Sequence, residues 1–256
     1  MLIFNFHHVE AHPRQDPQDP DRAYVTITPD GLRNYIRLIR RCGWEIIPFA
    51  DALKNPFGPG WQKQVIVTFD DGYVNNLTEA LPVLAEEQCP ATIFVLTGLP
   101  GGRNYWDQAH LPEAERDKLM TPEEMDQLAA SPWIALGSHG HDHIHMPQTP
   151  PDVLSGMVQS SYDYLADRYP ESFIPVFAYP WGEYDDNVLN VMRNTPFRAA
   201  VTTVKGAWSS GSPAFEIPRY SVYGRDANPW VAFGKWVRNG LVGPGELLKA
   251  ATGRRP

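Results

Sequence analysis

The chain has 256 residues, 43% of them hydrophobic and 20% charged, which supplies apolar material for one sizeable core and argues against disorder as its organising state. A formal net charge of -8 argues against nucleic acid or an anionic membrane surface as the partner, because both need a basic footprint. Cys42 and Cys89 are too few for a disulfide framework, and no apolar run approaches the ~20 residues that cross a bilayer, so no integral membrane segment is expected.

Strand-like apolar runs alternate with helix-like segments from the first residues onward, the pattern of a parallel sheet or barrel. No linker divides residues 1–256, so a single domain is expected. The first run, 2–6, ends at His7-His8; it is too short for a signal peptide and has no basic region before it, which predicts a cytoplasmic location if the chain is complete at its N-terminus. Residues 11–22, rich in Pro, Asp and Gln, read as a loop. Thr28-Pro29 marks a helix start, with Leu32, Ile36 and Ile39 on one face and Gly43 closing it. Strands are expected over 45–49, 65–69 and 91–97, followed by a long excursion over 98–119 that carries Tyr105-Trp106 and reads as a lid or substrate-binding loop. Thr121-Pro122 starts another helix, and Thr121 with Glu124 makes a capping box. A strand over 134–138 precedes an amphipathic helix with Val153, Met157, Tyr164 and Leu165 on its apolar face. Strands over 176–179, 199–203 and 216–222 and a helix from Asn228-Pro229 complete the series. The strands are almost continuously hydrophobic, as in an α/β fold whose sheet is buried on both faces.

Two segments carry the chemistry. A β-branched run ends on the adjacent carboxylates Asp70 and Asp71 and on Gly72, and further on His139, His141, His143 and His145 alternate with other residues. Taken alone, the doublet also reads as a turn and the histidines as the polar face of a strand or a surface loop. Taken together they read as a metal site: Asp and His suit a borderline divalent ion such as zinc, and two His four residues apart with one carboxylate leave a coordination position open for water. Both segments, and the Pro180-Trp181-Gly182 turn, lie just beyond the C-terminal ends of expected strands, the face on which β/α barrels build active sites. With Asp71, His139 and His143 on the ion, Asp70 is left beside a ligand without being needed as one, and can act as general base.

In this order, Thr68-Phe69-Asp70-Asp71-Gly72, Ser138-His139-Gly140-His141-Asp142-His143 and Phe177-Ala178-Tyr179-Pro180-Trp181-Gly182 resemble the motifs of the polysaccharide deacetylases, the family 4 carbohydrate esterases. The resemblance runs from the first strand to about Tyr223. It implies a distorted (β/α) barrel of about seven parallel strands and metal-dependent removal of acetyl groups from sugars. It also implies Asp70 as the base and Asp71, His139 and His143 as ligands, to zinc as a rule, with cobalt, nickel or iron accepted by the same ligand types. His141 and His145 fall outside the spacing and read as bystanders.

Two departures from the family pattern stand out. No His follows His145, where many members carry a Leu-x-His whose imidazole is the general acid. Phe6-His7-His8-Val9 resembles the Tyr-His-x-Val opening of the exopolysaccharide deacetylase branch, which carries the acid role onto His7, with His8 its neighbour. Ala178 stands where much of the family has an Arg that orients the catalytic Asp, and Arg219 is expected to bring the missing guanidinium to Asp70. The resemblance further implies that the backbone N–H of Trp181 faces the developing oxyanion. The Trp181 ring and Tyr179 are candidates to stack on a sugar, with core packing the other reading for Tyr179.

The resulting expectation is a zinc-dependent hydrolase that removes the N-acetyl group from an amino sugar in a glycan or glycan precursor. The cytoplasmic reading favours a nucleotide- or lipid-linked sugar of lipopolysaccharide or capsule assembly. Hydrolysis of another amide, such as a formamido sugar or cyclic imide, stays open, and so does a catalytically silent sugar-binding protein. The oligomeric state does not follow from these residues.

Overall fold

A computed structural model describes residues 1–14 and 20–224, together with residues 228, 231, 234 and 236. From the N-terminus, β1 (Leu2–Phe6) and β2 (His8–Val9) lead to α1 (Pro20–Tyr24), β3 (Thr26–Ile27), α2 (Pro29–Arg41), β4 (Glu45–Ile46) and α3 (Phe49–Lys54). Next come β5 (Gln64–Phe69), α4 (Leu81–Glu86), β6 (Ala91–Val95), α5 (Pro122–Ala129) and β7 (Ile134–Ser138). The series ends with α6 (Pro151–Arg168), β8 (Phe173–Ala178), α7 (Asp186–Arg193), β9 (Ala199–Val201) and β10 (Tyr220–Ser221). Seven strands pair in parallel in the order β10-β1-β5-β6-β7-β8-β9, and the sheet curls into the half-barrel of a distorted (β/α) barrel, as expected. β4 pairs with the first residues of β5, and β2 and β3 form a separate parallel pair.

The alternation of side chains along each strand sorts the interior from the outer wall. Leu2, Phe4 and Phe6 of β1, with Val65, Val67 and Phe69 of β5, pack outward in one cluster against α2, α4 and α5. Ile3, Ile66, Phe94, Val176 and Val201 share a second cluster inside the curl, closed at its N-terminal end by Phe49 and Trp208. Two residues after Ile3 and Ile66 in the same inward phase come Asn5 and Thr68, and two further on comes Asp70; all three are buried. The interior therefore changes from apolar to polar toward the C-terminal ends of the strands.

Local signals hold where expected. Thr28 caps α2 by accepting from the Gly31 N–H at 3.0 Å, and Leu32, Ile36 and Ile39 are buried. Thr121 and Glu124 make the two reciprocal bonds of a capping box, 3.2 and 2.8 Å.

Four expectations are corrected. The strand expected over 45–49 stops at Ile46, because Pro48 lacks a donor and opens α3. The end of the expected loop over 11–22 is the first turn of α1. The apolar face of α6 is Leu154, Val158, Ser161 and Leu165, while Val153 is 50% exposed. A hydroxyl contact of 2.9 Å between Ser161 and Ser138 at the end of β7 sets that phase, a polar constraint that apolar periodicity does not register. The strand expected over 216–222 is split by Pro218. Ile217 exchanges backbone bonds with β9, donating to Ala200 and accepting from Thr202 (3.0 and 2.9 Å), whereas Tyr220 and Ser221 pair with β1. This segment thus bridges the two edges of the sheet, with Arg219 at the crossing. The helix expected from Asn228-Pro229 falls largely outside the described residues. Among the described residues no helix is long and apolar enough to cross a membrane.

Candidate active site

The end of β5 turns sharply. Asp71 (φ 73) and Gly72 (φ 72) both adopt the left-handed conformation, tolerable for Asp and free for Gly, and a Cβ on Gly72 would meet Val95 Cγ1 at 2.9 Å. The turn sends the two carboxylates to different partners.

Asp70 continues the inward phase of β5 and is clasped from two sides. Arg219 donates to Oδ1 at 2.8 Å and to Oδ2 at 2.7 Å, a bidentate pair, and Asn5 Nδ2 donates to Oδ2 at 2.9 Å. Arg219 is buried; its Nε donates to Thr202 O and its Nη1 also reaches Thr68 Oγ1. The guanidinium that Ala178 does not supply thus comes from the crossing segment. Burial opposes ionisation of Asp70, but the charges of Arg219 and His139 and the Arg219 hydrogen bonds hold its carboxyl below the usual carboxylate range. Oδ1 keeps one lone pair free of these bonds.

Asp71 turns to the histidines instead. Its Oδ1 lies 3.1 Å from His139 Nε2 and 3.6 Å from His143 Nε2, and ligand-type atoms of all three buried residues lie within 4.8 Å of one another. His139 Nδ1 donates to Ala178 O at 2.9 Å, which orients Nε2 toward the cluster, the outer contact found behind metal-bound histidines. Burial disfavours charge on His139, but the hydrogen bond and charge of Asp71, together with Asp70, raise its pKa. Burial pushes His143 down to about 3 against the pull of Asp71, so its imidazole is neutral. Asp71 itself is held well below the carboxylate range, burial being outweighed by the His139 hydrogen bond and by the charges of both imidazoles. One ionised carboxylate and two imidazoles fit a divalent ion: roughly 2.0–2.2 Å bonds in tetrahedral array put donors about 3.3–3.5 Å apart, close to the separations seen. His139 Nδ1 faces Ala178 O and its Nε2 faces Asp71, and cation binding at such a set competes with protons for the same donor atoms.

These groups line a cavity of about 350 Å³. His7, at the exit of β1, is on its wall, with a buried Nδ1 that has no hydrogen-bond partner among the described residues. His8 also reaches the wall but is fixed elsewhere: its ring stacks on Tyr73 at 3.8 Å and its Nδ1 meets Asn75 Nδ2 at 3.2 Å. Burial, with the Arg22 charge, pushes His8 down to about 3 although Asp117 pulls it up. Trp181 sits in a left-handed turn (φ 59); the residue is 38% exposed and lines the cavity. Tyr179 is buried in the core and donates from its hydroxyl to Phe215 O at 3.0 Å. His145, read from sequence as a bystander, stacks on Trp181 (5.2 Å, 3°) and bonds Glu183 at 2.8 Å; His141 stays outside the metal-type cluster.

Asn5, Trp106 and Asp117 carry no motif. Asn5 has one sequence signal, a lone amide in the apolar run Leu2-Ile3-Phe4-Asn5-Phe6. The excursion over 98–119 is an ordered wall of the cavity. Backbone bonds tie it down, including Leu119 N–H to Gly102 O at 2.9 Å, and its Trp106 stacks on His143 at 4.3 Å. Asp117 anchors it, accepting from Arg22, from Gln108 Nε2 at 2.6 Å and from Arg14 Nη2 at 2.9 Å.

Substituting Asp117→Asn leaves the buried Arg22 with Glu10 as its remaining carboxylate partner and is expected to cost about 1–3 kcal/mol, measured by urea unfolding at neutral pH. Burial raises the Asp117 pKa, but the hydrogen bond from Arg22 and the charges of His8 and Arg22 bring it below its ordinary value. A carboxylate lowered in the folded state stabilises above its unfolded pKa, near 4, and loses that contribution as pH falls through the folded value. The gap between wild type and variant should therefore narrow below about pH 4; a constant gap would contradict the assignment.

The family model described as polysaccharide deacetylase matches residues 58–200. A Bacillus subtilis (strain 168) protein, YxkH, assigned by name to the polysaccharide deacetylases, is 31% identical over 162 residues, 63% of this chain and 52% of its own length. The poly-beta-1,6-N-acetyl-D-glucosamine N-deacetylase of Staphylococcus epidermidis is 24% identical over 169 residues, 63% of this chain and 55% of its own. The chain therefore spans about half the length of these two relatives. Among solved structures, IcaB from Ammonifex degensii superposes with a TM-score of 0.72 at 20% identity, over 91% of this chain and 95% of that one. The Streptococcus pyogenes deacetylase PplD, in complex with acetate, gives 0.70 at 23% identity, over 87% and 92%. These two likenesses speak for the fold.

Proposed function

The chain belongs to the polysaccharide deacetylase family, and from that premise we propose that it is a divalent-metal-dependent hydrolase, with zinc the first candidate, that removes the N-acetyl group from amino-sugar units of a glycan. The observation that carries this reading is the division of the carboxylate doublet. Asp71 joins two imidazoles in a three-donor cluster, and Asp70, immediately before it in the chain, is held apart by Arg219 and Asn5. A pure binding module has no use for an ionised carboxylate oriented beside a metal-type site.

Asp71, His139 and His143 would hold the ion. When bound, it would polarise the acetamide carbonyl and lower the pKa of a water to roughly 7. The other tasks fall to the chain. Asp70 takes the water's proton as oxygen adds to the carbonyl carbon, and Arg219 with Asn5 keeps the accepting carboxylate ionised and fixed. The backbone N–H of Trp181 faces the developing oxyanion, a type of contact worth ~3 kcal/mol. His7, which lines the cavity, delivers a proton to the nitrogen as the C–N bond breaks, so acetate and a free amine leave. The N-deacetylase relative makes a β-1,6-linked N-acetylglucosamine glycan the first substrate to assay.

The test is acetate release from N-acetylglucosamine oligomers by zinc-loaded protein, its loss on chelation and its return with metal. No release from any acetylated sugar would overturn the reading. A His7→Ala variant separates the acid role from general damage. Its loss should be about 10²–10⁴-fold on the amide and much smaller on an activated acetate ester, whose leaving group needs no proton. Equal losses on both would remove His7 from that role.

A further inference from the structure

The two imidazoles of the metal-type cluster are supported differently. His139 has Ala178 O behind its Nδ1 at 2.9 Å, whereas the Nδ1 of His143 is buried and has no hydrogen-bond partner among the described residues. A ligand imidazole with no bond behind it keeps its plane only if packing fixes it. For His143 the packing comes from aromatic rings. Trp106, from the connection after β6, lies on the imidazole at 4.3 Å and 12°, and Trp181 meets it nearly at right angles at 4.8 Å and 76°, while Nε2 faces Asp71.

The ring of Trp106 stands on a fixed support. Asn104 is buried; its Nδ2 donates to the Tyr73 hydroxyl at 2.8 Å and its Oδ1 accepts from the Asp107 N–H at 3.0 Å, which sets the turn that carries Trp106. At the far end of the excursion, Val74 N–H donates to Lys118 O and Met120 N–H to Gly72 O, both at 3.0 Å. The excursion is therefore bonded to the residues that follow Asp71 and stacked on His143. It ties together two ligand segments that are distant in the chain.

We infer that Trp106 is a positioning residue for the metal: its indole face stands in for the outer hydrogen bond that His143 lacks, and it makes the excursion over 98–119 part of the metal site. The inference rests on the divalent-metal reading above and deepens it. Because coupling between two sites is reciprocal, whatever Trp106 contributes to holding the cation, the cation contributes to holding the excursion. An aliphatic side chain of similar bulk fills the space beside the imidazole but presents no flat face to fix its plane, whereas a smaller aromatic ring still does.

The experiment measures the zinc Kd of wild type, Trp106→Phe and Trp106→Leu by competition with a chromophoric chelator, with thermal unfolding of the metal-free proteins to check that each is folded. Trp106→Leu should bind zinc about three- to tenfold more weakly, and Trp106→Phe should bind as wild type does. Hydrogen exchange gives the reciprocal readout: zinc should slow the amides of the excursion around Trp106 in the wild type and lose most of that effect in Trp106→Leu. Zinc affinity unchanged in Trp106→Leu, or weakened as much in Trp106→Phe, would overturn the inference and leave the deacetylase reading standing. If Trp106→Leu does not fold, the wild type decides by itself, since an excursion whose exchange is indifferent to zinc would also overturn it. A wild type that binds no divalent ion at all would instead bring down the metal reading, and this inference with it.

Discussion

An Asp70→Asn enzyme is expected to retain its metal and to release acetate about 10²–10⁴-fold more slowly, whereas Asp71→Ala should lose both metal and activity. The contrast follows from the geometry of two adjacent residues. Asp71 Oδ1 is within reach of both Nε2 atoms, so removing it takes away one of three donors and the negative charge that favours a cation there. Asp70 offers no donor atom to that cluster, and its oxygens are engaged by Arg219 and Asn5. Asn keeps an oxygen for the guanidinium but cannot take up a proton at neutral pH. Elemental analysis of the purified proteins, paired with acetate assays, reads both quantities. A metal-free Asp70→Asn protein, or a metal-replete Asp71→Ala protein, would show that the roles are not divided in this way.

Arg219→Ala should destabilise the fold by about 3–5 kcal/mol, because it strands a buried carboxylate without its cation, and should slow acetate release at the same time. The guanidinium is 1% exposed as part of Arg219 and also satisfies Thr202 O, so the truncation opens a cavity and leaves acceptors unpaired. The cause can be isolated with a double-mutant cycle. If the cost comes from the orphaned charge, adding Asp70→Asn to Arg219→Ala should cost less than the two single changes added together, as measured by chemical denaturation. Strict additivity would locate the loss in packing alone, and an undiminished rate would remove Arg219 from any part in positioning Asp70.

The legible and illegible parts of the chain divide by interaction range. The central strands could be found because parallel strands buried on both faces are continuous apolar runs; 2–6 and 134–138 match β1 and β7 residue for residue. The start of α5 could be found because its capping box lies within one turn. The metal-type cluster was legible because His139 and His143 belong to one short segment and Asp71 to another, each carrying a motif. Asn5 and Asp117 were not, and Trp106 was legible only as part of a lid or substrate-binding loop, not as a partner of His143. Asn5 matters only because β1 pairs with β5 in a register that sets Asn5 beside Thr68, and Trp106 only because a long connection folds back onto His143. The phase of α6 was misjudged for a similar reason, since Ser138 across the interface chooses the buried face.

The amino-acid sequence by itself determined that apolar strands alternate with helices and that carboxylates and imidazoles follow the strand ends, because periodicity, caps and motifs are properties of neighbouring residues. That Asp71 joins the histidines and Asp70 meets Arg219 is already an expectation of the motifs, but only the tertiary structure supplies its cause. That choice rests on a left-handed turn at Asp71 and on a segment that crosses from β9 to β1. It also brought Trp106, from the connection after β6, and Tyr223, after β10, to the lining of one cavity. Contacts between residues a hundred or more positions apart depend on strand order and register, and no local pattern encodes those.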